Sequence, residues 1–158
     1  MNYRLSQIAA VVGGRFSGED HEVQAVVTDS RSLTCELGCN PMFVAMCGAN
    51  HDSHDFIGQM YGRGVRAFLV EHAVEEMPGA GYVVVKNAIA ALQSLAAYHR
   101  AHFKGTVVGI TGSNGKTVIK EWIAEELPAG MKCYRSPKSY NSQLGVPLSV
   151  LMIEGDEQ

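Results

Sequence analysis

Three absences narrow the field before any motif is considered. Nowhere do about 18 apolar residues follow one another, so the sequence predicts no membrane-spanning helix. The opening MNYRLSQIAAVVGG has a short apolar run with no basic leader before it, which argues against a secretory signal and sets the expectation of a cytoplasmic protein. An excess of one charge is also missing: 13 Lys and Arg stand against 16 Asp and Glu, a formal net charge of −3. Binding to nucleic acid or to a membrane surface through bulk electrostatics is therefore disfavoured, and a small molecule or a protein is the expected partner. The four cysteines, Cys35, Cys39, Cys47 and Cys133, lack the paired C-x-x-C spacing of a structural zinc site, so reduced, structurally incidental thiols are expected. No internal repeat or low-complexity segment occurs. With 158 residues, 46% hydrophobic and 18% charged, the composition is that of one average globular domain or two small ones.

What is present is an alternation of short strands and helices. Leu5, Ile8, Ala9 and Val12 share one helical face, with Ser6 as a candidate N-cap and Gly13-Gly14 as a stop. EVQAVVTDS (22–30), PMFVAM (41–46), RAFLVEH (66–72) and YVVVK (82–86) read as strands, and HDFIGQMYGRG (54–64) reads as a helix ended by glycine. From Asn87 to Phe103 the apolar spacing is helical again. TVVGIT (106–111) predicts a strand, residues 117–127 a helix stopped by Pro128, and MKCYRS (131–136) another strand. This order predicts a right-handed βαβ unit of a parallel sheet.

The texture changes near Lys86. Residues 1–86 read as a small mixed α/β domain, and residues 87–158 as the start of a parallel-sheet nucleotide-binding domain. Only about two strands of that second sheet precede the final MIEGDEQ, fewer than a parallel sheet covered on both faces needs. The sequence is thus expected to stop inside a domain. The edge or apolar face so exposed is expected to favour non-physiological self-association.

The stretch VVGITGSNGKTVIKEW (107–122) carries the chemistry. A strand that opens through Gly112 and Gly115 into a helix turns successive backbone N–H groups into one concavity, at a helix N-terminus that favours negative charge. Phosphate fits such a field. Lys116 supplies a mobile ammonium for the outer phosphates, and Thr117 a hydroxyl where P-loop proteins ligate magnesium. The strict G-x-x-x-x-G-K-[ST] spacing fails, because Ile110 stands where its first glycine belongs and Gly109 lies one residue earlier. Ile119, Trp122, Ile123 and Leu127 are expected to face the sheet, and Trp122, Phe68 and Phe103 to lie in the core.

GITGSNGKT resembles the ATP-binding turn of the Mur ligases, T-G-[TS]-N-G-K-T, a relative of which occurs in folylpolyglutamate synthases. TDSR (28–31), MFVAMCG (42–48) and DSHDF (52–56) resemble the uridine-nucleotide-binding first domain of Mur ligases, which the folate enzymes lack. SYNSQLGVPLSVL (139–151) resembles the branch that joins D-alanyl-D-alanine to UDP-N-acetylmuramoyl-tripeptide, rather than the branch adding the third amino acid. ITGSNGKTVIKEW, LAAYHR and RSPKSYNSQLGVPLSV look most like the form of this branch fused to an alanine racemase. The resemblance covers essentially the whole chain.

It implies an α/β architecture: a uridine-nucleotide-binding domain, then the opening of a P-loop ATPase domain. The family's metal-binding glutamate, carbamylated lysine and adenine contacts come later in its members, as does the domain for D-alanyl-D-alanine, so this stretch alone is expected not to ligate. By resemblance, ATP and Mg2+ are the cofactors. Thr111, Gly112, Ser113, Asn114, Gly115, Lys116 and Thr117 would hold the phosphates, Lys116 as the catalytic cation and Thr117 as the magnesium ligand. Ser30, Arg31, Ala45 and His54 would contact the uridine nucleotide, and Asn141, Ser142 and Gln143 would face the muramoyl substrate.

Plainer roles stand beside these. Ser30 and Arg31 could form a turn with Asp29, His54 could be structural, and residues 141–143 could be a polar turn before a helix begun by Pro147. Ser53 replaces the glycine usual in the family's D-G-H pattern. Two other functions fit the turn alone: a stand-alone nucleotide-binding regulatory module, and an unrelated P-loop phosphotransferase with no preference for UDP.

Overall fold

The computed structural model describes residues 1–31, 39–48, 52–137 and 140–154. The first helix, α1 (Leu5–Val12), follows the two-residue strand β1 (Tyr3–Arg4) and buries Leu5, Ile8 and Ala9. It closes at Gly13, whose left-handed backbone (φ 65°) lets its N–H reach the carbonyl of Ala9. Ser6 is not the N-cap expected from the sequence. Its N–H and Oγ both donate to the carboxylate of Asp20 at 2.9 Å, because β3 (Glu22–Val23) returns antiparallel to β1 and brings Asp20 over the helix start.

The main sheet has the order β2 (Arg15–Gly18), β7 (Gly81–Val84), β6 (Ala67–Val70), β5 (Pro41–Val44), β4 (Ala25–Val27). Strands β4 to β7 are parallel neighbours, and β2 pairs antiparallel with β7. The strand expected over 22–30 thus divides between two sheets, at β3 and β4. The period-2 alternation of a strand supplies two cores. Met42, Val44, Ala67, Leu69 and Val83 face α1 and α3 (Ala88–His102), while Phe43, Ala45, Phe68, Val70 and Tyr82 face α2 (Ile57–Gly62). Phe68 and Tyr82 stack with ring centroids 5.4 Å apart.

Helix α3 starts at a true cap, the Asn87 side chain accepting the N–H of Ala90 at 2.8 Å. Its Leu92, Leu95 and Ala96, with Leu151 of α5 (Gly145–Leu151), join the core that holds Leu5 and Val83.

The region around α4 (Lys116–Glu125) departs from expectation. Residues 106–111 and 131–136 form no strand. A β-branched run becomes a strand only where a neighbour completes its ladder, and among the described residues neither segment is paired in one. Helix α4 consequently has no buried residue. Ile119, Trp122 and Ile123 are 43%, 63% and 39% exposed, so Trp122 is not a core residue. Phe68 is fully buried as expected, and Phe103 only half-buried. An apolar cavity of about 540 Å³, lined by Val107, Val108, Ile123, Leu127 and Met131, lies against this face of α4.

Candidate functional site

Two polar regions flank this framework. The first is the glycine turn. Gly112 (φ 148°) and Gly115 (φ 77°) both have backbone that L side chains rarely adopt, and the space around Gly115 is open, so conformation rather than crowding calls for glycine. Gly115 is the residue at which α4 begins. Ser113, Asn114, Gly115, Lys116 and Thr117 line an open cleft of about 430 Å³, joined by Asn141 from the loop before α5. Thr111 and Gly112 precede them on the same turn. Lys116 Nζ folds back onto the carbonyl of Gly112. Lys120 also lines the cleft, and no carboxylate does among the described residues. Lys120 is ion-paired with Glu121 at 3.1 Å and donates to the carbonyl of Ser136 at 2.7 Å, so Lys116 and the helix N-terminus supply the positive field in this volume.

Asn141 is the member of the 141–143 trio that joins this cleft. Ser142 Oγ accepts the N–H of Gly145 at 2.9 Å, satisfying a donor at the start of α5, and the carbonyl of Gln143 accepts Gln93 Nε2 at 3.3 Å. Pro147 lies in the first turn of α5, where its missing N–H costs nothing.

The second region is the carboxyl edge of the parallel strands, where open α/β sheets bind ligands. Ser30 follows β4 and Ala45 follows β5, so they share this edge. Ala45 is fully buried in the core beside Phe43 and Val70, and its N–H is donated to the carbonyl of Leu69 at 2.8 Å. Arg63 at the end of α2 donates to the carbonyl of Ser30. Arg31 makes a forked pair with Asp29, Nε to Oδ1 at 3.0 Å and Nη2 to Oδ2 at 2.9 Å. That contact holds the Asp29 carboxyl down at about 2.

His54 lies in a 3₁₀ turn (Ser53–Phe56) after β5, with its side chain buried. The right-handed backbone of this turn accepts Ser53 without strain. The backbone N–H of Glu71 donates to His54 Nε2 at 3.0 Å, so the ring proton sits on Nδ1 and is donated to Asp52 Oδ1. Asp52 also accepts the N–H of His54 at 2.9 Å. That backbone bond, then the ring contact, lowers the Asp52 carboxyl to about 2.

Glu71 is the residue that sequence reasoning missed here. Its carboxylate accepts the N–H of Cys47 and that of Ala88, both at 2.7 Å, tying the ends of β5 and β6 to the start of α3. No local pattern marks it; the signal is its position just past one of two adjacent parallel strands.

A parallel-rich sheet with polar groups at its carboxyl edge, beside a glycine turn that opens a helix at a polar cleft, defines the class as a mixed α/β protein. No family model matches the chain. Among curated proteins, the UDP-N-acetylmuramoyl-tripeptide–D-alanyl-D-alanine ligase of Escherichia coli (strain K12) is 35% identical over 150 residues, spanning 94% of this chain and 32% of the relative. The ligase of the same name from Bacillus subtilis (strain 168) is 30% identical over 151 residues, 93% of this chain and 32% of the relative. A solved structure of the corresponding ligase from Acinetobacter baumannii superposes with a TM-score of 0.84 at 28% identity, over 100% of this chain and 35% of that one. The MurF ligase of Thermotoga maritima in complex with ADP gives 0.71 at 31% identity, over 85% of this chain and 30% of that one. The chain belongs to the Mur ligase family, and it spans about a third of the length of the curated relatives it matches.

Proposed function

We propose that this chain is the nucleotide-handling part of a ligase of peptidoglycan-precursor synthesis that joins D-alanyl-D-alanine to UDP-N-acetylmuramoyl-tripeptide at the expense of ATP. Residues 1–86 would take the uridine end of the substrate, and residues 87–158 would contribute the phosphate turn of the ATP domain. The observation that carries this reading is the glycine-turn cleft lined by Ser113–Thr117, with Lys116 at the start of α4, in a chain whose relatives bear that ligase name.

In this reading the backbone N–H groups of residues 112–117 bind the β- and γ-phosphates. Lys116 leaves the Gly112 carbonyl to neutralise charge on the group being transferred. The hydroxyl of Thr117, in the first turn of α4, would hold Mg2+ together with the nucleotide's own phosphates, an arrangement that suits an ion retaining most of its waters. When bound, the ion supplies charge neutralisation across the phosphates. The tripeptide carboxylate takes the γ-phosphoryl group, and the amine of D-alanyl-D-alanine then displaces phosphate from the acyl phosphate. Ser30, Arg31, Ala45 and His54 would position the uridine nucleotide, and Asn141, next to the phosphate turn, would sit between the two substrates. Ligation is assigned to a protein of the relatives' full length, and nucleotide binding to these 158 residues. We assign the work to the cytoplasm, where both nucleotides are made available; among the described residues no helix is long and apolar enough to cross a membrane.

Equilibrium binding of MgATP to wild type and Lys116→Ala tests the phosphate assignment. Loss of one charge-assisted contact of about 1.5–3 kcal/mol predicts affinity roughly ten- to a hundredfold lower in the variant. Equal affinity of the two proteins would refute it.

A further inference from the structure

Outside the phosphate cleft, Cys47, Asp52, His54 and His72 gather just past the carboxyl ends of β5 and β6, one donor atom of each lying within 4.8 Å of the others. We propose that Cys47 Sγ, Asp52 Oδ2 and His72 Nε2 form a site for a divalent transition-metal ion of the zinc type. His54 is the positioning residue for Asp52, and solvent completes the coordination. The site shares His54 with the proposed uridine region, rests on side-chain geometry rather than on the ligase reading, and concerns a different ion from the magnesium at Thr117.

The two edges that meet at Asp52 match those of a tetrahedral zinc site. Asp52 Oδ2 is 3.7 Å from Cys47 Sγ and 3.5 Å from His72 Nε2. Zinc bonds of about 2.0–2.3 Å require ligand-to-ligand edges of about 3.3–3.8 Å. The tautomers also agree. His72 Nδ1 faces the carbonyl of Ala73 at 3.3 Å, which places its proton there and leaves the Nε2 lone pair toward Asp52 and Cys47. His54 is different: its Nε2 already accepts the Glu71 N–H, and its Nδ1 proton goes to Asp52 Oδ1, which turns the other carboxylate oxygen outward. A metal on His54 Nδ1 would have to displace that proton.

The His54 and His72 rings stack at 3.9 Å with an interplanar angle of 25°, fixing the plane of the ligating imidazole. The bond from the Cys47 N–H to Glu71 fixes the backbone under the sulfur. Cys47 and His72 are exposed, which gives the ion an entry path.

A thiolate, an imidazole and a carboxylate together select zinc or cobalt over magnesium or calcium. On binding, the thiol proton leaves to solvent and a metal–sulfur bond replaces the S–H bond. One thiolate and one carboxylate then balance a divalent charge. Cys47, incidental by sequence spacing, becomes a ligand because two adjacent strands bring distant residues together.

The test is an anaerobic titration of the chain with Co2+, followed by Zn2+, with folding of every variant checked by circular dichroism. Expected is uptake of one equivalent, with a thiolate-to-cobalt charge-transfer band and the intense visible bands of a four-coordinate ion, displaced by Zn2+ and not by Mg2+. Cys47→Ser removes the charge-transfer band, and His72→Ala weakens binding at least tenfold. Replacing Cys35, Cys39 and Cys133 by serine leaves the band in place. His54→Gln, which keeps a donor toward Asp52, retains the sulfur band and alters the visible bands. Absence of stoichiometric uptake, a six-coordinate spectrum, or a thiolate band that survives Cys47→Ser would overturn the site. Loss of that band in folded His54→Gln would overturn the role given to His54.

Discussion

Replacing Glu71 by alanine removes the tie between β5, β6 and α3. Two backbone N–H groups lose a carboxylate at 2.7 Å. Hydrogen bonds to charged groups are worth about 1.5–3 kcal/mol where water is excluded. Ala88 is fully buried, so its N–H forfeits most of that value, whereas water replaces the bond at exposed Cys47 and leaves a loss nearer 0.5 kcal/mol. The sum is about 2–3 kcal/mol, or roughly 5–10 °C in Tm for a chain of this size. Glu71→Gln should fall between wild type and alanine, because one oxygen remains while the amide sets a donor against a donor. Urea denaturation followed by far-UV circular dichroism, in chelator so that no metal contributes, measures the difference. Glu75→Ala, an exposed neighbour, should stay within about 0.5 kcal/mol of wild type. A Glu71→Ala loss no larger than that of Glu75→Ala would refute the reasoning.

Three further outcomes follow from the geometry. The Ser6 backbone N–H, more than any other contact, lowers the Asp20 carboxyl, so its stabilisation is complete above the unfolded value of about 3.9 and is lost as pH falls through the lower folded value. Asp20→Ala should accordingly cost about 1 kcal/mol at neutral pH by urea denaturation, with the gap closing below about pH 4. A Cβ at Gly81 would lie 2.0 Å from the carbonyl oxygen of Glu19 and 2.7 Å from Leu5 Cδ2, so Gly81→Ala should lose at least about 2 kcal/mol in the same assay. The single tryptophan, Trp122, is 63% exposed, so its emission should be red-shifted and readily quenched by iodide; a blue, protected emission would show α4 packed against something.

The sequence was legible where structure is local. The 3.6-residue spacing in α1 and α3, the glycine that ends α1, and the apolar runs of β5, β6 and β7 all correspond to elements near their expected positions. Legibility failed where a partner decides. TVVGIT has every strand-forming side chain and is paired in no ladder among the described residues, and the apolar stripe of α4 has no sheet beneath it. Ser6 looked like a cap because Asp20, fourteen positions away, cannot be seen from a local window. The same holds for the candidate sites. The glycine turn is contiguous and legible, whereas the sequence places Asn141 only toward the muramoyl substrate and its meeting with the turn depends on the fold. Glu71, Cys47 and His72 meet only because parallel β5 and β6 are adjacent and end together. No spacing in one stretch of sequence encodes that meeting.

The central claim is that the carboxyl edge of this sheet receives a uridine nucleotide carrying a muramoyl peptide. Calorimetric titration of the chain with UDP-N-acetylmuramoyl-tripeptide, with UDP-glucose as the control and Ser30→Ala as the variant, tests it most directly. The account predicts saturable binding, tighter than that of UDP-glucose and weakened by the substitution; a folded chain that takes up neither nucleotide, alone or extended to the length of its relatives, would contradict it.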